Sequence, residues 1–62
     1  MPLWAHDIVR EHYSEADADL ICERFPEHFP NVAWSEVGSM TVLYYADQVL
    51  DMELTRLGDR RS

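Results

Sequence analysis

Six carboxylates recur at intervals of four residues in the first half of the chain. In a helix, each step of four rises ~6 Å and turns ~40° beyond a full circle, so such a series forms a slowly winding acidic line. If the chain turns at Ser14, the line becomes two shorter ones on adjacent helices. The series is Asp7, Glu11, Glu15, Asp19, Glu23 and Glu27.

This spacing costs stability, since like charges four residues apart weaken an isolated helix by ~0.2–0.5 kcal/mol per pair. A functional role for these carboxylates is one reason why the sequence would keep this destabilising spacing. A line of carboxylates imitates the backbone of a duplex, which carries one charge per ~3.4 Å of axis on each strand. The line here is sparser, but Asp17 and Asp51 add charge beside it. The first interpretation is a decoy that occupies a basic groove, with association accelerated by its field and weakened by salt.

The alternative interpretation is that the same carboxylates are only the solvated faces of two amphipathic helices. Asp7 with Arg10, and Arg24 with Glu27, then form ordinary ion pairs at three-residue spacing. A charge pattern alone specifies no partner, so both interpretations stay open.

Catalytic and metal-binding chemistry have weaker support. His6, His12, Cys22 and His28 offer zinc-ligand atoms, but their spacings match no zinc pattern. Cys22 has only Arg24 as a nearby cation, which favours a half-buried structural cysteine over an activated thiol. With no motif of a nucleophile or phosphate loop, we predict a protein that is not an enzyme and needs no cofactor or metal.

Length and charge narrow the possible partners. At 62 residues the chain has room for a single domain, residues 1–62, that buries only ~60% of its unfolded surface, which argues against a deep catalytic cleft. The formal net charge is −7 and there is no lysine. We therefore expect a basic surface of a protein or nucleoprotein complex as the partner, with no direct binding of nucleic acid or membrane.

Cysteine usage and the first residues suggest the compartment. The only cysteine leaves no internal disulfide, and the N-terminus lacks the basic start and apolar stretch of a secretion signal. The longest apolar run, Val42 to Ala46, is too short to span a bilayer. We expect a soluble cytoplasmic protein.

Apolar spacing predicts two helices in the first half of the chain, over Pro2 to Tyr13 and over Ser14 to Phe25. Ser14 followed by Asp17 resembles a capping box at the start of the second helix. Pro26 should end that helix. The following segment, Pro26 to Asn31, should be an ordered loop that Phe25 and Phe29 hold against the core.

A third helix is predicted from Ser39 to Leu57, with Gly58 as its stop. The chain is thus predicted to be an all-α, small three-helix domain. The alternative is an α+β fold, because Met40 to Tyr45 is rich in strand-forming residues. The apolar stripe behind the helix prediction is Val42, Leu43, Ala46, Val49, Leu50, Leu54 and Leu57.

The apolar content, 47% of the residues, exceeds what one small core easily hides. Tyr44, Tyr45 and Trp34 could form a contact patch, although they are equally good core residues. A second hypothesis is therefore a regulatory or antitoxin-like interaction module that binds through the apolar face of the third helix. A homodimer is a further possibility.

In size, charge and the Asp7 to Glu27 series, the chain resembles the small acidic inhibitors encoded by phages and mobile elements. These include anti-CRISPR and anti-restriction proteins, several of which mimic DNA. The resemblance is at class level, covers about half of the chain and carries over no functional residues. It implies an inhibitor that acts in the host cytoplasm on the basic nucleic-acid-binding groove of a defence complex.

Overall fold

The computed structural model is a bundle of three α-helices that all pack against one another. It describes the backbone of residues 1–61 and the side chains of residues 1–58. Over that part of the chain there is no strand, so the protein is a small all-α domain, as predicted, and the Met40 to Tyr45 segment is helical. The helices are α1, Leu3–His12; α2, Glu15–His28; and α3, Ser39–Arg61; a 3₁₀ turn covers Trp34–Glu36.

Helix α1 agrees with its prediction to within one residue at each end. Pro2 precedes it in extended conformation, and its carbonyl accepts the Ala5 N–H at 3.1 Å. A proline here loses nothing, because the first N–H groups of a helix have no partner within the helix. At the other end, the Tyr13 N–H donates to the Val9 carbonyl at 3.0 Å and the chain then turns into α2.

Helix α2 begins as predicted but ends later. The Ser14 hydroxyl accepts the Asp17 N–H at 3.3 Å, which is the expected cap. The predicted end at Pro26 is wrong, because Pro26 lies inside α2 and the helix runs on to His28. Proline removes one hydrogen bond, but the fully buried Phe25 beside it anchors the last turn, and its carbonyl accepts the Phe29 N–H at 2.9 Å.

Helix α3 begins at Ser39 as predicted, but the predicted stop at Gly58 is wrong. The helix continues to Arg61. Glycine ends helices mainly by taking up a positive φ, and Gly58 does not have one. It is accommodated as an ordinary helical residue.

The core lies where the three helices meet. Phe25 is at its centre, with ring centroids 5.4 Å from both Phe29 and Trp34, and Tyr45 stacks 4.6 Å from Phe29. These contacts hold the segment after α2 against the core, which confirms the role predicted for Phe25 and Phe29. The buried hydrophobic residues are Ala5, Val9, Ala18, Ile21, Phe25, Val42, Ala46 and Val49.

Helix α3 extends beyond the core. Its 23 residues span ~34 Å, whereas the 14 residues of α2 span ~21 Å. Glu53 is the last buried position on it, and residues 54–58 are all exposed. The described part of α3 after Glu53 therefore lies beyond the buried core.

Candidate protein-binding surfaces

The six carboxylates of the fourfold series are all exposed. Their placement follows from helix geometry, since a residue two positions from a core residue lies ~200° around the helix from it. Asp7 and Glu11 follow the core residues Ala5 and Val9 by two positions in α1. Glu23 stands midway between Ile21 and Phe25 in α2, so it too faces outward.

Two members of the series are neutralised by arginine. Arg24 and Glu27 form the predicted ion pair at 3.1 Å. Arg10 does not pair with Asp7, as sequence spacing suggested, but reaches across from α1 to Asp19 on α2 at 3.1 Å. The reason is that the packing of α1 against α2 brings Asp19 within reach, which spacing along one helix could not reveal.

The remaining four carboxylates, Asp7, Glu11, Glu15 and Glu23, form no ion pair with any side chain of residues 1–58. We call them the acidic surface. The turn at Tyr13 and Ser14 divides them between two helices, so they do not form one continuous line. They instead occupy the outer faces of two packed helices, tied together by the Arg10 to Asp19 bridge.

A second surface lies on the outer face of α3, opposite its buried residues. Met40, Tyr44 and Leu54 expose 79%, 63% and 53% of their area. Tyr44 is thus exposed and available for contact. Tyr45, the other tyrosine predicted to bind a partner, packs against Phe29 in the aromatic cluster and is only partly exposed.

Two shallow depressions run along this outer face. The first, of about 460 Å³, lies between the end of α1 and the start of α3. The second, of about 310 Å³, continues along α3 to Leu54. Asp47 lines both, and it accepts a hydrogen bond from the Tyr13 hydroxyl at 3.3 Å. Burial, with Asp47 adding to it, raises the pKa of Tyr13 above its ordinary value of 10.0.

Glu53 is a buried charge that the sequence analysis missed. It exposes only 4% of its area, and its Oε1 lies 2.9 Å from His28 Nε2. An ionised carboxylate only accepts hydrogen bonds, so the imidazole is the donor. That bond lowers the pKa of Glu53 below its ordinary 4.5, and Arg24 and Arg56 act in the same direction against the opposing effect of burial. The signal was present in the sequence, because Glu53 continues the three-and-four spacing of Val49 and the core positions before it.

The possible catalytic and metal-binding groups are dispersed. Cys22 is half-buried, as expected, and burial raises the pKa of its thiol, which makes it a weaker nucleophile at neutral pH. Among residues 1–58, no three histidine, cysteine or acidic side chains are arranged to hold a metal ion. What the described surface offers is contact area of two kinds, one acidic and one apolar.

Over the described residues, none of the three helices combines the length and apolar character needed to cross a bilayer. Comparison of the chain with family models, with curated proteins and with solved structures finds no match, so any function must be argued from these two surfaces.

Proposed function

We propose that the protein is a non-catalytic inhibitor that occupies the basic nucleic-acid-binding groove of a host defence complex, in the manner of an anti-CRISPR DNA mimic. The observation that carries this proposal is the acidic surface. Four exposed carboxylates on two packed helices have no ion-pair partner among the described side chains. A basic groove would supply the charge that they lack.

The distribution of arginine supports the same function. The three arginines with described side chains, Arg10, Arg24 and Arg56, each lie within 4.0 Å of a carboxylate. These three arginines are thus partly neutralised by nearby carboxylates, whereas the four carboxylates of the acidic surface have no ion pair with a described side chain. Together with the net charge of −7, this arrangement attracts a cationic partner over a distance of ~8–10 Å at moderate salt.

The test immobilises the protein on beads and passes a bacterial host lysate over it at ~0.1 M and at ~1 M salt. The electrostatic screening length falls from ~10 Å to ~3 Å between these two concentrations. A complex that handles DNA or RNA should be recovered at low salt, lost at high salt and displaced by duplex DNA. The double variant Glu11→Arg with Glu23→Arg should no longer recover it.

A matched pair of single variants is Glu23→Arg, in the acidic surface, and Glu36→Arg, at an exposed carboxylate in the 3₁₀ turn, and each changes the net charge by the same amount. Glu36→Arg should retain the complex. Equal loss from both variants would reduce the effect to net charge and overturn DNA mimicry, as would the recovery of no complex that handles nucleic acid. Circular dichroism of both variants establishes that the helices remain.

A second candidate function is an interaction module that binds a partner protein through the outer face of α3. The specific observation is the exposure of Met40, Tyr44 and Leu54 on one helix face. Large apolar side chains exposed along one face of a small protein commonly mark a contact site. A partner bound in this way should resist high salt, and Tyr44→Glu should abolish its binding while the Glu11→Arg, Glu23→Arg variant retains it.

A further inference from the structure

The two depressions on the outer face of α3 follow one another along the helix and share Asp47 as a lining residue. We call the two together the α3 groove. It extends from Met40, beside the end of α1, to Leu54. Fourteen residue steps along α3 give it a length of ~21 Å, which is about four helical turns.

Its chemistry is apolar at both ends and anionic in the middle. Met40, Leu43 and Tyr44 line one end, and Leu50 and Leu54 line the other. The two carboxylates between them, those of Asp47 and Asp51, are both exposed and one helical turn apart. No arginine or lysine lines the groove, and His12 is the only basic side chain among its lining residues.

We propose that the α3 groove binds a basic amphipathic helix of a partner protein. Apolar side chains at the two ends of that helix would cover Met40 with Tyr44 and Leu54, and two central cations one turn apart would meet Asp47 and Asp51. Burial of the apolar ends supplies affinity, and the central charge pairs fix register and orientation. This inference rests on the second candidate function and is independent of the acidic surface.

Charge argues against a second copy of this chain as the occupant. If two α3 helices pack antiparallel so that Met40 of one meets Leu54 of the other, the Asp47 carboxylates face each other. A parallel arrangement sets Asp47 against Asp47 and Asp51 against Asp51. Two chains of net charge −7 would bury like charges in either case, and like-charge contacts oppose association.

The test is a titration with a designed peptide. The probe is a fluorescein-labelled 16-residue helical peptide with leucines at both ends of one face and two arginines one turn apart at its centre. A control peptide of identical composition carries the arginines on the opposite face. The expected result is saturable binding of the probe, by fluorescence anisotropy, with the control peptide at least about tenfold weaker because its charges cannot reach Asp47 and Asp51 together.

Protein variants then locate the site. Met40→Gln with Leu54→Gln should weaken probe binding by about tenfold or more, since both apolar anchors are lost. Leu3→Gln is the control, because Leu3 is an exposed apolar residue, at 82% comparable to Met40, that does not line the groove. It should bind the probe like the unmodified protein, and so should Glu11→Arg with Glu23→Arg.

Equal binding of the two peptides, or equal weakening by the Leu3→Gln and groove variants, would overturn the proposal. A concentration-dependent dimer in sedimentation that Tyr44→Gln abolishes would assign the groove to a second copy. The lysate experiment tests the acidic surface, and the peptide titration tests the α3 groove. A negative result in the first does not change the second, so the two proposals are tested independently.

Discussion

At the scale of single residues, the contact between Glu53 and His28 joins the end of α2 to α3 through a buried carboxylate. A buried charge is tolerated when it is hydrogen-bonded and paired, and Glu53 has the His28 imidazole at 2.9 Å and Arg56 at 4.0 Å. The same contact lies in the turn that runs past Pro26. It therefore helps to explain why α2 does not stop at the proline.

Glu53→Gln should lower the melting temperature near pH 7 and lose that effect in acid. The folded protein has a lowered Glu53 pKa, so the ionised form favours the fold, and its contribution is complete above the ordinary value of 4.5. As the pH falls through the lowered value, the contribution disappears. Thermal unfolding by circular dichroism should show a difference of a few degrees near pH 7 that shrinks toward pH ~3.

The control for this effect is Glu23→Gln, which removes an exposed carboxylate without an ion pair among the described side chains. It should leave the melting temperature nearly unchanged at both pH values. A Glu53→Gln variant whose difference from the unmodified protein is the same at pH ~3 and pH ~7 would contradict a stabilising role for the ionised group.

Ser14→Ala should destabilise the protein by ~1 kcal/mol, because the Asp17 N–H at the start of α2 loses its acceptor. Urea unfolding should show the shift as a lower midpoint with an unchanged slope. Ser35→Ala, in the exposed 3₁₀ turn, is the matched control and should have little effect. Equal shifts for the two serines would mean that the cap adds nothing.

At the level of whole helices, α2 and α3 both continue past residues that usually end a helix. Pro26 and Gly58 are both ordinary end signals, yet both lie inside helices. In α2 the packing of Phe25 and the His28 contact offset the cost of proline. In α3 no such contact is needed, because a glycine without positive φ only weakens a helix.

Gly58→Ala should therefore stabilise α3 by at most ~1 kcal/mol. An added Cβ meets nothing within 4 Å. Circular dichroism at 222 nm and urea unfolding should show a gain. Gly38→Ala is the control, since that residue has equal space but precedes the helix, where alanine brings no gain in propensity. If Gly58 were a helix stop instead, alanine there would destabilise the protein.

At the scale of the whole molecule, stability rests on a small core with Phe25 at its centre. Phe25→Ala should cost ~3–5 kcal/mol, whereas a 62-residue domain has only ~3–9 kcal/mol at ~0.05–0.15 per residue. We expect thermal unfolding by circular dichroism to show a melting temperature far below that of the unmodified protein. Tyr44→Ala, which removes an exposed aromatic ring, is the comparison and should remain folded. Comparable losses from both would place the centre of the core elsewhere.

Features that depend on neighbours within a few residues could be predicted from the sequence. Apolar spacing placed three helices, Ser14 began α2, and the distance of two residues from the core positions turned Asp7, Glu11 and Glu23 outward. Such features follow from helix periodicity and capping, which need no knowledge of the rest of the chain.

Which side chains meet across helices depended on how the three helices pack and could not be predicted. The fold paired Arg10 with Asp19 instead of Asp7, buried Glu53 against His28, and packed Tyr45 against Phe29 while Tyr44 stayed exposed. The apolar residues of α3 cover so wide an arc that periodicity could not tell its inner face from its outer one. The packing of α1 and α2 against α3 determines which of its faces is buried, and it leaves the face with the α3 groove exposed.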